Sequence, residues 1–139
     1  MTLTHRTSIA RHAEHAFPEE CCGVLVGREV DGAKEVQFVR SARNVAAADR
    51  DTRYEIDPEE LLASERFARD RGLDVVGYYH SHPGATARPS ATDRARGLPW
   101  ASYVIVSVRE GRAAELTSWT CRVAGGVFDE EPLDVRAGE

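Results

Sequence analysis

Cysteine is scarce in this chain of 139 residues: Cys21, Cys22 and Cys121 are the full set, and none forms a C-x-x-C pair. An odd, sparse set excludes a disulfide framework and a cysteine-rich zinc finger. Next to Gly-Val-Leu-Val, Cys21 and Cys22 read as small buried apolar residues. No apolar run approaches the length that crosses a bilayer. No Lys/Arg cluster is dense enough for a nucleic-acid face, and the formal charge is −5. The first six residues show no basic-then-apolar signal pattern, so a cytoplasmic protein is expected. Repeats, low-complexity tracts and linkers are also missing. What remains is an ordinary balance of 42% apolar and 29% charged residues, enough for one compact domain over residues 1–139.

Periodicity predicts a mixed α/β fold, a sheet with a helix on each side. Residues 4–17 read as a helix, with Ile9, Ala10, Ala13, Ala16 and Phe17 at helical spacing. Pro18 stops it by pushing the preceding residue out of the α region. Residues 21–29 read as a buried strand, residues 30–32 as a turn and residues 35–45 as a second strand. A polar loop follows to Thr52. Asp57-Pro58-Glu59-Glu60 is a helix start, with Asp57 as cap, Pro58 in the first turn and Glu60 closing a capping box. That helix runs to about Arg71 and stops at Gly72. Residues 73–80 are a short strand, 81–89 a loop, and Ser90 opens a short helix ending near Gly97. Strands are expected over 102–108 and 113–123, with a last extended piece over 127–135 and a frayed Arg136–Glu139 end. His5, His12 and His15 on the first helix read as surface residues.

The stretch that carries chemistry is His80-Ser81-His82, followed by Ser90-Ala91-Thr92-Asp93. Two histidines one residue apart in extended chain project to the same side, close enough to share an ion. Asp93, at the start of the next helix, can add an oxygen. Two imidazoles and one carboxylate leave a fourth tetrahedral position open, as catalytic zinc sites do. Ser81 points to the opposite side and reads as structural. Ser90-x-x-Asp93 is also a helix-start signature, and both readings can hold at once. A (β/α)8 barrel would need about 250 residues, and neither P-C-x-x-C nor H-E-x-x-H occurs.

His80-x-His82-x7-Ser90-x2-Asp93 resembles the complete JAMM motif of the MPN+ metalloproteases. Pro18-Glu19-Glu20-Cys21-Cys22-Gly23 resembles the upstream element of small prokaryotic members, which makes Glu20 the matching glutamate and Glu19 its confusable neighbour. The resemblance implies a JAB1/MPN fold, with a mixed, curved sheet of cytidine-deaminase-like type. It implies Zn2+ held by His80, His82 and Asp93, with Glu20 moving protons and Ser90 donating to the oxyanion. The implied reaction is amide or isopeptide hydrolysis after the C-terminal glycine of a ubiquitin-like β-grasp sulfur carrier ending in Gly-Gly, for example releasing cysteine. The tail would reach the metal by pairing with an exposed strand edge. Two other readings stay open: a non-catalytic module that binds a ubiquitin-like partner, and a peptidase acting on cell-wall or other peptides. No nucleic-acid or membrane partner is expected, and the sequence is silent on oligomeric state.

Overall fold

A computed structural model of the chain describes residues 1–137. The elements are α1 (Leu3–Ala16), β1 (Cys22–Val30), β2 (Ala33–Ala42), α2 (Pro58–Asp70), β3 (Asp74–Pro83), α3 (Ala91–Ala95), β4 (Ser102–Arg109), β5 (Arg112–Cys121) and β6 (Phe128–Glu131). The strands form one mixed sheet in the order β2-β1-β3-β4-β5-β6. All neighbours are antiparallel except β3 and β4, which run parallel and are joined through α3. The hairpins β1–β2 and β4–β5 turn on Asp31-Gly32 and Glu110-Gly111, four residues at positive φ. Two successive positive φ values match the right-handed strand twist, which is why Gly takes the second place.

The two long helices cover opposite faces, as the patterning predicts. Ile9 and Ala13 of α1 pack with Leu25, Val76, Tyr79, Val104, Val106 and Val108. On the other face Ala68 of α2 packs with Val24, Val26 and Leu73. Adjacent Val24 and Leu25 serve opposite clusters because strand side chains alternate. A third cluster, with Tyr103, Ile105, Trp119, Cys121 and Phe128, lies beyond α3. Ile9 is fully buried, and burying such a side chain stabilises by about 1.5–3 kcal/mol.

The structure corrects several boundaries. β3 runs on to Pro83, because its ladder with β4 continues to Pro83↔Val108; His82 therefore stands on a strand, not in a loop. β3 also carries an extra residue, Val76, opposite the Leu25–Val26 step. That bulge shifts the phase of the strand, so Val75 and Tyr78 share one face while Val76 and Tyr79 share the other. Phe17 is extended (φ −49, ψ 133), as a residue before proline should be. Asp57 caps α2 through the Glu59 N–H, but the expected capping box does not form. Glu60 instead accepts the Arg43 N–H at 2.8 Å. The expected fraying fails at Arg136, whose backbone bonds to Met1 and Leu3; residues 138–139 lie outside the described residues. Among the described residues no helix is long and apolar enough to cross a membrane.

Candidate metal centre

The centre is assembled at the C-terminal end of β3. His80 and His82 project to the same face, and α3 delivers Asp93 to them. His80 Nε2 lies 3.2 Å from His82 Nε2 and 3.2 Å from Asp93 Oδ2, and His82 Nε2 lies 3.1 Å from the same oxygen. All three residues are buried. The His82 Nδ1–H donates to the Thr86 carbonyl at 2.9 Å, which leaves Nε2 with its lone pair toward the centre. Three lone pairs that meet out of water repel unless a cation or a proton sits among them. The set can hold a metal ion.

Asp93 is aimed by the start of its own helix. Ser90 Oγ accepts the Asp93 N–H at 3.1 Å, and the Ser90 N–H donates to Asp93 Oδ2 at 2.9 Å. The helix start therefore presents Asp93 to the point where His80 and His82 converge. Ser90 Oγ acts as acceptor in this box, so its own proton stays free. Burial opposes ionisation of Asp93, but the closeness of His80 and His82 and the Ser90 N–H outweigh it and hold the carboxyl well below the usual range. Burial lowers the His80 pKa. It also pulls on His82, where the neighbouring Asp93 carboxylate and the bond to Thr86 prevail and raise it.

Glu20 is brought to the same face by strand parity. Cys22 pairs directly with His80, and the ladder extends one step further through Ser81 N–H to the Cys21 carbonyl. Glu20, two residues before Cys22, therefore falls on the His80/His82 side, while Glu19 lies in the bend that follows α1. Glu20 is 4% exposed, whereas Glu19 is exposed. Glu20 Oε1 is buried without a hydrogen-bond partner. Burial, with Asp93 and Asp51 adding to it and His82 opposing, pushes the carboxyl up to about 8. Its backbone is held by Arg50 and Asn44.

Ser81 faces the opposite side, fully buried, and accepts the Cys21 N–H at 2.8 Å, the structural role its parity predicts. All three cysteines are buried. Burial pushes the thiols of Cys21 and Cys22 up to about 11 and about 12, so neither is a thiolate nucleophile. Two predicted surface histidines are half-buried instead. His5 closes the Thr2 capping box, and His12 meets the Tyr79 hydroxyl at 2.6 Å; His15 is exposed.

Sequence reasoning missed Tyr54 as part of the centre. Its ring stacks on His80 with centroids 4.5 Å apart and planes 20° apart. Its carbonyl accepts from Arg96 at 2.7 Å, which ties the 44–56 segment to the end of α3. Tyr54 stands out in the chain only as part of a helix start, and no local signal ties it to His80. Thr86 was missed for the same reason, since its role is carried by a carbonyl. A hollow of about 530 Å³, bordered by Leu25, Val76, Val104 and Lys34, contains none of these residues.

Comparison with known proteins agrees with this geometry. The family of prokaryotic homologs of the JAB domain matches residues 2–122. A desampylase of Haloferax volcanii is 39% identical over 119 residues, 83% of each chain. A CysO-cysteine peptidase of Mycobacterium bovis is 36% identical over 129 residues, covering 92% of this chain and 84% of its own. A solution structure from Desulfitobacterium hafniense superposes with TM-score 0.84 at 29% identity, over 99% of this chain and 92% of that one. A JAB1/MPN domain protein from Archaeoglobus fulgidus superposes with TM-score 0.58 at 18% identity, over 94% and 92%, and shares the fold.

Proposed function

The chain belongs to the family of prokaryotic JAB-domain proteins, and on that premise we propose that it is a cytoplasmic zinc peptidase. Its reaction is hydrolysis of the amide or isopeptide bond after the C-terminal glycine of a ubiquitin-like sulfur carrier, for example with release of cysteine. The carrying observation is the cluster of His80, His82 and Asp93 donor atoms, 3.1–3.2 Å apart, with the unpartnered carboxylate of Glu20 on the same face. His80, His82 and Asp93 would hold the zinc, since their donor atoms already converge on one point, as a catalytic two-His, one-carboxylate set does.

Bound zinc supplies a polarised carbonyl and a water acidic enough to ionise near neutral pH. Glu20 takes the proton of the attacking water and returns it to the leaving amine. A desolvated carboxyl beside a bound cation can do both, because burial raises its proton affinity while the cation's charge keeps it ionisable. Ser90 lends its free hydroxyl proton to the developing oxyanion, a contribution of about 3–4 kcal/mol in comparable sites. Tyr54 keeps His80 in plane, and the Thr86 carbonyl fixes the tautomer of His82. The sheet edges are β2 and β6, so β3 has no free edge. The 44–56 segment, which borders the centre through Tyr54, is the backbone the carrier tail would pair with. Two glycines allow that approach because they lack a Cβ.

The relatives named desampylase and CysO-cysteine peptidase support this reading. The test is mass spectrometry of intact carriers incubated with zinc-loaded protein. A carrier ending Gly-Gly-Cys should lose its last residue, the same carrier ending Ala-Ala-Cys should persist, and isolated tail peptides should react poorly because the carrier body supplies binding energy. Equal cutting of peptide and carrier would sink the carrier reading and favour a general peptidase. No cutting by a protein that holds one zinc per chain would favour a binding module.

A further inference from the structure

On the face of the sheet opposite the metal centre, α1 and β2 border a shallow hollow of about 480 Å³. Ser8, Arg11, His12 and His15, spaced as one helix face, form one wall; Ser41 stands on the other and Tyr79 in the floor. The lining contains no carboxylate, although the chain carries 23 acidic against 18 basic residues. Two acids near the hollow in sequence or through space are engaged elsewhere. Glu14 accepts the Ala113 N–H at 2.9 Å. Glu60, which acts on His12 through space, is bonded to Arg43. Among the described residues none of the salt bridges involves Arg11, His12 or His15.

The floor is built rather than incidental. Tyr79 is 1% exposed, and Gly23 makes room for it: a Cβ there would fall 2.1 Å from the ring. Its hydroxyl, beneath the hollow, is bonded to His12 at 2.6 Å. A guanidinium, two imidazoles and two serine hydroxyls thus line one space that contains no carboxylate. A carboxylate ligand would satisfy the guanidinium fork alone. A phosphate offers three terminal oxygens, enough for the fork and the flanking donors. The hollow is open on its outer side, so an organic group carried by the phosphate would not be excluded by its walls.

We propose that this hollow binds a small phosphate monoester, with Arg11 as the forked donor and His12, His15, Ser8 and Ser41 completing the ring. The site is independent of the peptidase reading. Its occupant would lie against Tyr79, the residue before His80, and so touch the strand that carries the metal centre from its opposite face.

The test uses the metal-loaded full chain with ring-labelled histidine, observed by NMR at fixed pH and ionic strength. Inorganic phosphate, adenosine 5′-monophosphate and chloride are titrated separately. Phosphate should give saturable shifts at His12 and His15 but not at His5, and chloride should give none. The nucleotide should saturate about tenfold more tightly than inorganic phosphate. Arg11→Ala should weaken binding at least about tenfold, with an unchanged Tm because the side chain is exposed, and Arg6→Ala should leave it intact. Shifts of equal size with chloride, or equal affinity in Arg11→Ala, would overturn the site. A nucleotide no tighter than inorganic phosphate would overturn the ligand class.

Discussion

Helices α2 and α3 both begin with a capping side chain and an acid three residues later: Asp57 and Glu60 in one, Ser90 and Asp93 in the other. In α3 the acid folds back to its own cap, and the same oxygen reaches His80 and His82. In α2 the acid leaves the cap and takes the Arg43 backbone and guanidinium. The capping signature sets where a helix starts, and it is the same in both. What the third residue then does depends on the element that tertiary packing sets opposite it: two buried imidazoles for Asp93, an exposed arginine for Glu60.

The comparison breaks most visibly at the two acids themselves. Asp93→Ala should abolish turnover and bound metal together, read by metal analysis of the purified protein. Retained metal in that variant would place the ion elsewhere. Glu20→Gln removes a group from the same face without touching a cap or a ligand. Metal should stay, and turnover should fall by about 100-fold to 10,000-fold. If Glu19→Gln were the dead variant and Glu20→Gln remained active, the parity argument would be wrong.

The same variant has a stability signature in metal-free protein. The Glu20 pKa is raised from 4.5 to about 8, by burial first. A raised carboxyl favours the folded state only while protonated. Its contribution is complete below about pH 4.5 and is lost as pH climbs toward 8. Wild type should therefore lose stability against Glu20→Gln across that window, by on the order of 2–3 kcal/mol at pH 7. Parallel denaturation curves from pH 5 to 8 would show the gap widening, and a constant gap would contradict the burial argument.

Ser90→Ala sharpens the contrast between the caps. It should cost both about 1 kcal/mol of stability and roughly 100-fold in rate, with metal retained. Asp57→Ala should cost a similar 1–2 kcal/mol while kcat/KM stays within about twofold, because α2 carries no residue of the centre. The smallest effect belongs to Glu60→Ala. Its ion pair with Arg43 is solvent-exposed, so a loss of about 0.5–1 kcal/mol and unchanged activity are expected by thermal melting and assay.

Much of the fold could be read from the chain because its signals are local. Asp31-Gly32 and Glu110-Gly111 mark their hairpins, Pro18 ends α1, and Gly72 follows α2 at φ +67. The errors came where a distant partner prolonged or redirected an element. Pro83 stays in β3 because Val108 pairs with it. Arg136 is ordered by Met1 and Leu3 at the other end of the chain. The Val76 bulge follows from how β1 and β3 align, and neither strand states it alone. For the centre, Glu20 was identified through resemblance, although parity with Cys22 and Val24 was already in the sequence. Parity becomes an argument only once β1 is known to lie beside β3.

By itself the sequence determined the donor types and their local aim. The one-residue spacing of His80 and His82 puts both rings on one side of any extended chain. Ser90-x-x-Asp93 closes on itself within one helical turn. These are short-range geometric facts that need no fold. Only the tertiary structure decided that β1 pairs with β3, which sets Glu20 beside the histidines and takes its carboxyl out of water. It alone stacked Tyr54 on His80 and turned Asp93, but not Glu60, toward a pair of imidazoles. Desolvation and the meeting of residues far apart in sequence depend on which strands become neighbours, and that choice belongs to the packing of the whole sheet.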